Sequence, residues 1–388
     1  MKLSVKRRVL IVGAKECAER AAAAGQRAGL DTVIVDPPPE DMDAVADAAR
    51  IHEAEGIYGA DEAHAEMVAA AAAVVGLPGL SGRAARMLRD KEALRSALAP
   101  ETDLNPLYGV ADAPITAEQI VDRLGVPVVF KPVDGSRGRG TLVIRDVADA
   151  PLAFARAANA SVSGRVLLEE YIEGQEFRVV CHRGQETWST LMVFSNVPSE
   201  TDHLFDRALV APVRVAGPLR GRLRSEVRAV MGIVGGIQGV VVLEFMVSGD
   251  QIRLVELGHI NEYPALATEL FPAISGTDLL EVDVASVLGT PFENRPHFKV
   301  SGAVWWLSSR SGMVSAVHGI DKAQAVPGVA RVKVNAAVGT VLGHQVDGPS
   351  RDAVGYIVAT ARSPQRALEK AQYASEYVRF ETQAAFGS

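Results

Sequence analysis

Two acids set into apolar runs pose the first chemical question. In "VVVLEFMVSGDQIRLVELGHINEYPALATEL", residues 240–270, Glu244 and Glu256 lie on either side of "SGD". If that tripeptide is a hairpin turn, pairing about residue 250 sets Glu256 opposite Glu244, with Leu254 and Gly258 on the same face as Glu256. Facing carboxylates repel unless a cation lies between them. A divalent metal carrying a nucleotide phosphate is one resolution. The competing reading leaves one Glu at the sheet edge or paired with an arginine such as Arg253.

A second group is "KPVDGSRGRGTLVI", where Lys131 ends an apolar run and Gly135, Gly138 and Gly140 punctuate the loop. Such a loop can bring backbone amides to an anion, with Ser136, Arg137 and Arg139 at its tip. It is not the GxxxxGK[ST] pattern, and a plain hairpin with solvated arginines fits it as well. In "LLEEYIEGQEFRVV", Glu169, Glu170, Glu173 and Glu176 crowd the junction of two apolar strands. Backbone there could meet an adenine edge and a carboxylate the ribose, or the acids could simply form a solvated turn.

The elements that must position these residues can be read from pattern. "RVLIVG", "ECAERAAAAGQRAG" and "DTVIVD" read as strand, helix, strand, the start of a parallel α/β unit. Only Gly13 sits in its first loop, so no dinucleotide fingerprint is present. "ITAEQIVDRLG" reads as a helix with Thr116 as N-cap. "GAVWWLSS" and "GTVLGHQV" read as strands, and "SPQRALEKAQYASEYVRF" as a final amphipathic helix. Strands and helices outside the first unit suggest α+β lobes with antiparallel sheets.

The chain has 388 residues, 48% of them hydrophobic, and a net charge of -7, enough for two or three cores and without the basic stripe of a nucleic-acid binder. Cys17 and Cys181 form no CxxC, which fits a reducing cytoplasm. "VLIVGA" is too short for a signal peptide's apolar region, and "MVAAAAAVVGLPGL" too short for a membrane span.

Together these pieces resemble the ATP-grasp superfamily and, within it, the carboxylate–amine ligases of the L-amino acid ligase type. The resemblance runs from "GLPGLSGRAARMLRDKEALRSAL" through the Gly-rich loop and the acid pair to "GIDKAQAVPGVARVKVNAAVGTVL". It implies an N-terminal Rossmann-like unit over residues 1–85, a small ATP-grasp lobe over 86–172, and a large lobe with a C-terminal α+β extension over 173–388. It also implies roles. Lys91 and Lys131 would touch ATP phosphates, alongside the loop Gly135, Ser136, Arg137, Gly138 and Gly140. Glu169, Glu170, Tyr171 and Ile172 would form the adenine hinge, and Glu176 would hold the ribose. Glu244 and Glu256 would hold Mg²⁺, with Mn²⁺ as the alternative ion. The expected partners are a small carboxylate and an amine, with no nucleic acid, no membrane and a homodimer as the candidate assembly.

The resemblance breaks at one place. The family's usual "ExNxR" has its Asn and Arg positions filled here by Gly258 and Ile260. Asn261 is the candidate replacement for the Asn as metal ligand, and Arg310 or Arg207 for the catalytic arginine, acting with Lys131. The implied chemistry is attack of a carboxylate on the ATP γ-phosphate, then capture of the acyl phosphate by an amine. Another ATP-grasp chemistry, such as carboxylation or a purine-pathway ligation, is the alternative, and nucleotide binding without turnover a third.

Overall fold

The computed structural model describes residues 6–35, 41–99, 103–135, 138–184, 188–198, 206–215, 217–289, 292, 296–342 and 354–383. Strands β1 (Arg8–Val12), β2 (Asp31–Val35) and β3 (Gly56–Gly59) pair in parallel in the order β2-β1-β3. Helices α1 (Lys15–Arg27) and α2 (Met42–Ile51) connect them. Residues 9–12 of β1 have no exposed surface. A strand covered on both faces has no polar side to show, hence the unbroken "VLIV". Helix α3 (Ala65–Val75) follows and stops at Gly76, whose φ of +71° a side chain would resist.

Helices α4 (Gly82–Arg89) and α5 (Lys91–Ala97) are each capped by a side chain, Ser81 and Asp90, accepting from a backbone N–H. Sequence pattern grouped them with the small lobe. Their Met87, Leu88 and Leu94 instead join the core of the large lobe, beside Phe177, Leu243 and Leu257. The small lobe is a four-stranded antiparallel sheet built from β4 (Tyr108–Ala111), β5 (Val128–Pro132), β6 (Leu142–Ile144) and β7 (Val166–Glu170), in the order β4-β7-β5-β6. Helices α6 (Pro114–Leu124) and α7 (Ala150–Ala160) cover it. Helix α6 begins at Pro114 with Ala113 as N-cap, ahead of the expected Thr116, because proline is preformed for the first helical position.

The large lobe opens with β8 (Gln175–Arg183), β9 (Trp188–Pro198), β10 (Asp206–Ala211) and α8 (Gly217–Ile233). The hairpin β11 (Gly239–Ser248) and β12 (Gln251–His259) comes next. After a π-helical segment (Ala265–Leu270) the chain forms α9 (Phe271–Ser275), α10 (Leu279–Ser286) and β13 (Ser301–Trp306). It ends with β14 (Gly312–His318), α11 (Ile320–Gln324), β15 (Val329–Val334), β16 (Val341–Leu342), β17 (Gly355–Ala361), α12 (Pro364–Ser375) and β18 (Arg379–Gln383). One eight-stranded sheet runs β12-β11-β8-β9-β10-β13-β17-β15, so part of the C-terminal extension continues the large-lobe sheet. The expected last helix ends at Ser375. Its "RF" goes into β18, which pairs with β14.

Helix α10 reaches back to the N-terminal unit. Its Leu280 and Val284, with Val287 and Leu288 just beyond, share a core with Val9, Ala18 and Tyr58. No helix among the described residues is long and apolar enough to cross a membrane. Cys17 and Cys181 are both free.

Candidate active site

The small lobe, the start of α5 and the large-lobe sheet enclose a cavity of about 220 Å³. Lys91 and Lys131 enter it from the small-lobe side, Arg178, Glu244 and Glu256 from the sheet, and Leu209, Leu266 and Trp306 form an apolar wall. Lys91 opens α5 and Arg95 lies one turn on, so both project from one face. Lys91 Nζ donates to Gly135 O at 2.6 Å and lies 3.3 Å from Glu256. Arg95, 1% exposed, grips Glu169 of β7 and donates to Leu254 O at 2.8 Å and Val255 O at 2.7 Å. Glu169 also holds Lys131 Nζ at 2.6 Å. A fully buried acid thereby aims Lys131 and ties it, through Arg95, to the strand that carries Glu256.

Glu244 and Glu256 stand directly opposite each other, as expected, but a β-bulge sets that register: the turn pairs Ser248 with Gln251 and Phe245 with Leu254, and the shift that follows leaves Val255 unpaired and brings Glu256 opposite Glu244. Arg178, opposite Glu244 on the other side in β8, lies 3.0 Å from it and also contacts Glu176. Tyr263 donates its hydroxyl to Glu244 at 2.7 Å. Burial pushes Glu244 up to about 7, against the pull of Arg178 and of the Tyr263 hydrogen bond. Against the same burial, Lys91 and then Lys131 hold Glu256 below the ordinary carboxylate range.

Gly258 now has a reason. A Cβ there would lie 2.9 Å from the Tyr263 hydroxyl and 3.1 Å from its Cε2. The tyrosine ring thus fills the space beside Gly258, where the family's usual asparagine is missing. Gly258→Ala should cost about 1–3 kcal/mol by overpacking and displace the ring; a thermal-melting shift together with loss of the Tyr263–Glu244 bond checks it. Tyr263→Phe removes a donor to the charged form of Glu244. Its pKa should then rise from about 7 by about 1–2 units, the worth of a hydrogen bond to a charged group. NMR titration of the nucleotide-free chain reads this directly, and the acid limb of a turnover profile should move the same way, to higher pH.

Gly138 and Arg139 line the cavity, whereas Gly140 packs its backbone against Ala160 and Pro132. Asp134, unremarked in the sequence, accepts from Ser161 Oγ at 2.6 Å and from the N–H groups of Val162 and Ser163, anchoring the loop's start. Ser136 and Arg137 lie outside the described residues. Glu176 lines the cavity and accepts from Asn196 Nδ2 at 3.2 Å. Glu169 cannot serve as hinge: its strand neighbours pair on both sides and its carboxylate is spent on Arg95 and Lys131. Glu170 accepts from Leu107 N, and Tyr171 N donates to Pro127 O at 3.4 Å, so of the expected hinge Ile172 lies farthest beyond the strand.

Three expected replacements are not at this cavity. Asn261 lies on a second, smaller cavity and donates to Gly59 O at 3.2 Å. Arg310 is exposed, and Arg207 stacks on Trp305 at 4.9 Å to the ring centroid. Ile260, 0% exposed, packs in the core with Val240, Leu266 and Phe271, because the strand ends at His259 and turns the side chain inward. The cation the sequence reading missed is Arg178. Its signal was a lone arginine in "EFRVVC", on a strand whose register needs a third partner strand to be known.

Comparison with known proteins finds two matching domain families. An ATP-grasp domain family matches residues 102–259, and L-amino acid ligase C-terminal domain 2 matches residues 305–383. The chain carries an ATP-grasp domain. A formate-dependent phosphoribosylglycinamide formyltransferase of Burkholderia thailandensis is 27% identical over 360 residues, 83% of this chain and 84% of that protein. The crystal structure of an L-amino acid ligase from Bacillus licheniformis superposes with a TM-score of 0.82 at 18% identity, covering 97% of this chain and 99% of that one. A carboxyaminoimidazole ribonucleotide synthase from Aspergillus clavatus, complexed with ATP, gives 0.75 at 14% identity, covering 96% and 98%. At those identities the two structures speak for the fold.

This ATP-grasp cavity suits a metal–nucleotide by its donor chemistry. Glu244 and Glu256 offer hard oxygen donors face to face on the cavity. Among the described residues no three His, Cys, Asp or Glu side chains cluster to hold an ion unaided. Phosphate oxygens and water would have to complete the shell.

Proposed function

We propose that this ATP-grasp chain activates a small carboxylate as its acyl phosphate and passes the acyl group to an amine. The observation that carries the reading is the meeting of Lys91, Lys131, Arg178 and the facing acids on one cavity whose opposite wall is apolar. One end suits phosphates, the other the body of an organic acid. In the first step a carboxylate oxygen bonds the γ-phosphorus and the bond to the ADP oxygen breaks. Lys91 and Lys131 offset the charge spread over the transferring group. Arg178, rather than Arg310 or Arg207, is assigned to orient the carboxylate. The amine then bonds the acyl carbon as the carbon–oxygen bond to phosphate breaks. Mg²⁺ held by Glu244 and Glu256 would supply charge neutralisation at the phosphates.

A purine-pathway ligation is the second reading, and the sequence relatives favour it: formate-dependent phosphoribosylglycinamide formyltransferases match 83% of this chain. It shares the acyl-phosphate step and differs in the carboxylate and amine. The test is a panel of acid and amine pairs, with formate, bicarbonate and phosphoribosylglycinamide included, read by ADP release and product mass. With ¹⁸O-labelled carboxylate, label should appear in the released phosphate. ADP release independent of any carboxylate, or unlabelled phosphate, would overturn the acyl-phosphate reading.

A further inference from the structure

The strand that carries Glu256 changes face partway along. Ile252, Leu254 and Leu257 of β12 pack in the large-lobe core beside Leu243 and Phe245. Val255 and Glu256 both line the cavity on the other face. Strict alternation from Leu254 would put Val255 on the cavity and return Glu256 to the core. The unpaired Val255 resets that alternation, so two neighbours point the same way. A carboxylate that alternation would bury among leucines is thereby delivered to the face of Glu244.

The bulge is held from outside the sheet, since β12 is its edge strand. In a regular strand the carbonyls of neighbouring residues point to opposite edges. Here both point outward to one guanidinium: Arg95 Nη1 donates to Leu254 O at 2.8 Å and Nη2 to Val255 O at 2.7 Å. Such a pair of acceptors exists only where the ladder slips. The third nitrogen, Nε, is gripped by Glu169, and Asn105 Nδ2 donates to the Arg95 carbonyl at 2.8 Å. Leu254 N donates to Leu104 O at 2.8 Å, which fixes the residue on the turn side of the slip. A planar fork spans two carbonyls and an acid at once; an ammonium on a flexible stem does not reproduce that geometry. One turn earlier on α5, Lys91 lies 3.3 Å from Glu256. The same short helix shapes the strand and meets the acid that the strand presents.

We propose that Arg95 is a positioning residue for the facing acids: its fork holds the bulge that turns Glu256 from the core onto the cavity. The inference deepens the acyl-phosphate reading by naming what aims the acid, while the bulge itself is read without nucleotide or metal. The test is thiol labelling by iodoacetamide of the full chain carrying Cys17→Ser, since Cys181 has no exposed surface. Glu256→Cys and Leu257→Cys report the two faces. With Arg95 in place, position 256 should label about tenfold faster than position 257, because a thiol reacts only when exposed. Adding Arg95→Lys should reduce that ratio about tenfold, with melting temperatures confirming folded chains. Deleting Val255 lets the turn alone set Glu256 opposite Glu244, so in that background Arg95→Lys should leave the ratio unchanged. Equal labelling of the two positions with Arg95 intact would overturn the proposal, as would an unchanged ratio in folded Arg95→Lys. So would an Arg95→Lys defect, in labelling or in melting temperature, that is as large after Val255 is deleted. With Glu256 intact, Arg95→Lys should raise the Mg²⁺ half-saturation of ADP formation about tenfold, the scale of losing an outer partner of a metal ligand. A collapsed labelling ratio with unchanged Mg²⁺ dependence would instead remove the metal reading and leave the positioning role standing.

Discussion

Arg95→Ala should destabilise the chain by about 3–5 kcal/mol, a large share of an ordinary domain's margin. The guanidinium is buried, pairs with an equally buried Glu169, and holds two consecutive carbonyls of β12. Its removal strands a carboxylate and leaves those carbonyls unmet. The urea midpoint reads the loss, and an unchanged midpoint would reject the clamp. Acid should expose it too. Against the cost of burial, Arg95 and Lys131 hold Glu169 down at about 2, from an ordinary 4.5. A carboxylate depressed in the folded state contributes stability that is present above its unfolded pKa and lost as pH falls through its folded one. In wild type that loss spans roughly pH 4.5 to 2. In Arg95→Ala the Glu169 pKa rises, so the folded-state advantage shrinks across the whole acid range.

Glu256→Gln should leave the fold intact and lower turnover by about 10²–10³-fold, on the scale of losing one charge-stabilising group. Among the described residues no third His, Cys, Asp or Glu clusters with the pair to hold an ion, and glutamine keeps the size while removing a hard anionic donor. It also deprives Lys91 of its 3.3 Å partner, so nucleotide affinity should change along with the rate. The Mg²⁺ dependence of ADP formation in wild type and variant decides it. Equal rates with equal metal dependence would return both acids to a structural role.

What the sequence disclosed depended on how local the information was. Glu244 facing Glu256 was expected from pairing about residue 250, but the two-residue turn alone would set Glu244 opposite Val255, and an unforeseen bulge restores the facing pair. The parallel N-terminal strands announced themselves by unbroken apolar runs. Lys91 and Lys131 were legible only through the family resemblance, yet they do meet on one cavity. The arginine beside the facing acids was not legible. Arg178 reaches Glu244 through a neighbouring strand 66 residues away in the chain. Ile260 fills the position of the family's arginine by spacing, but the strand ends one residue earlier and the side chain turns into the core. Asn261 was carried by the same turn toward Gly59 instead of the acids. Glu169 shows the converse: the motif was found where expected, and the buried lysine and arginine around it gave it a different task.

The sharing of α10 between the large lobe and the N-terminal unit fixes an order of events during synthesis. Helix α1 ends at residue 27, and the helix that completes its core begins at residue 279. Roughly 250 residues must be added in between, which takes about 10–50 s at ribosomal speed. Through that interval the α1 face that will meet Leu280 and Val284 stays open. The core of the α1 unit is therefore closed only long after α1 itself is made.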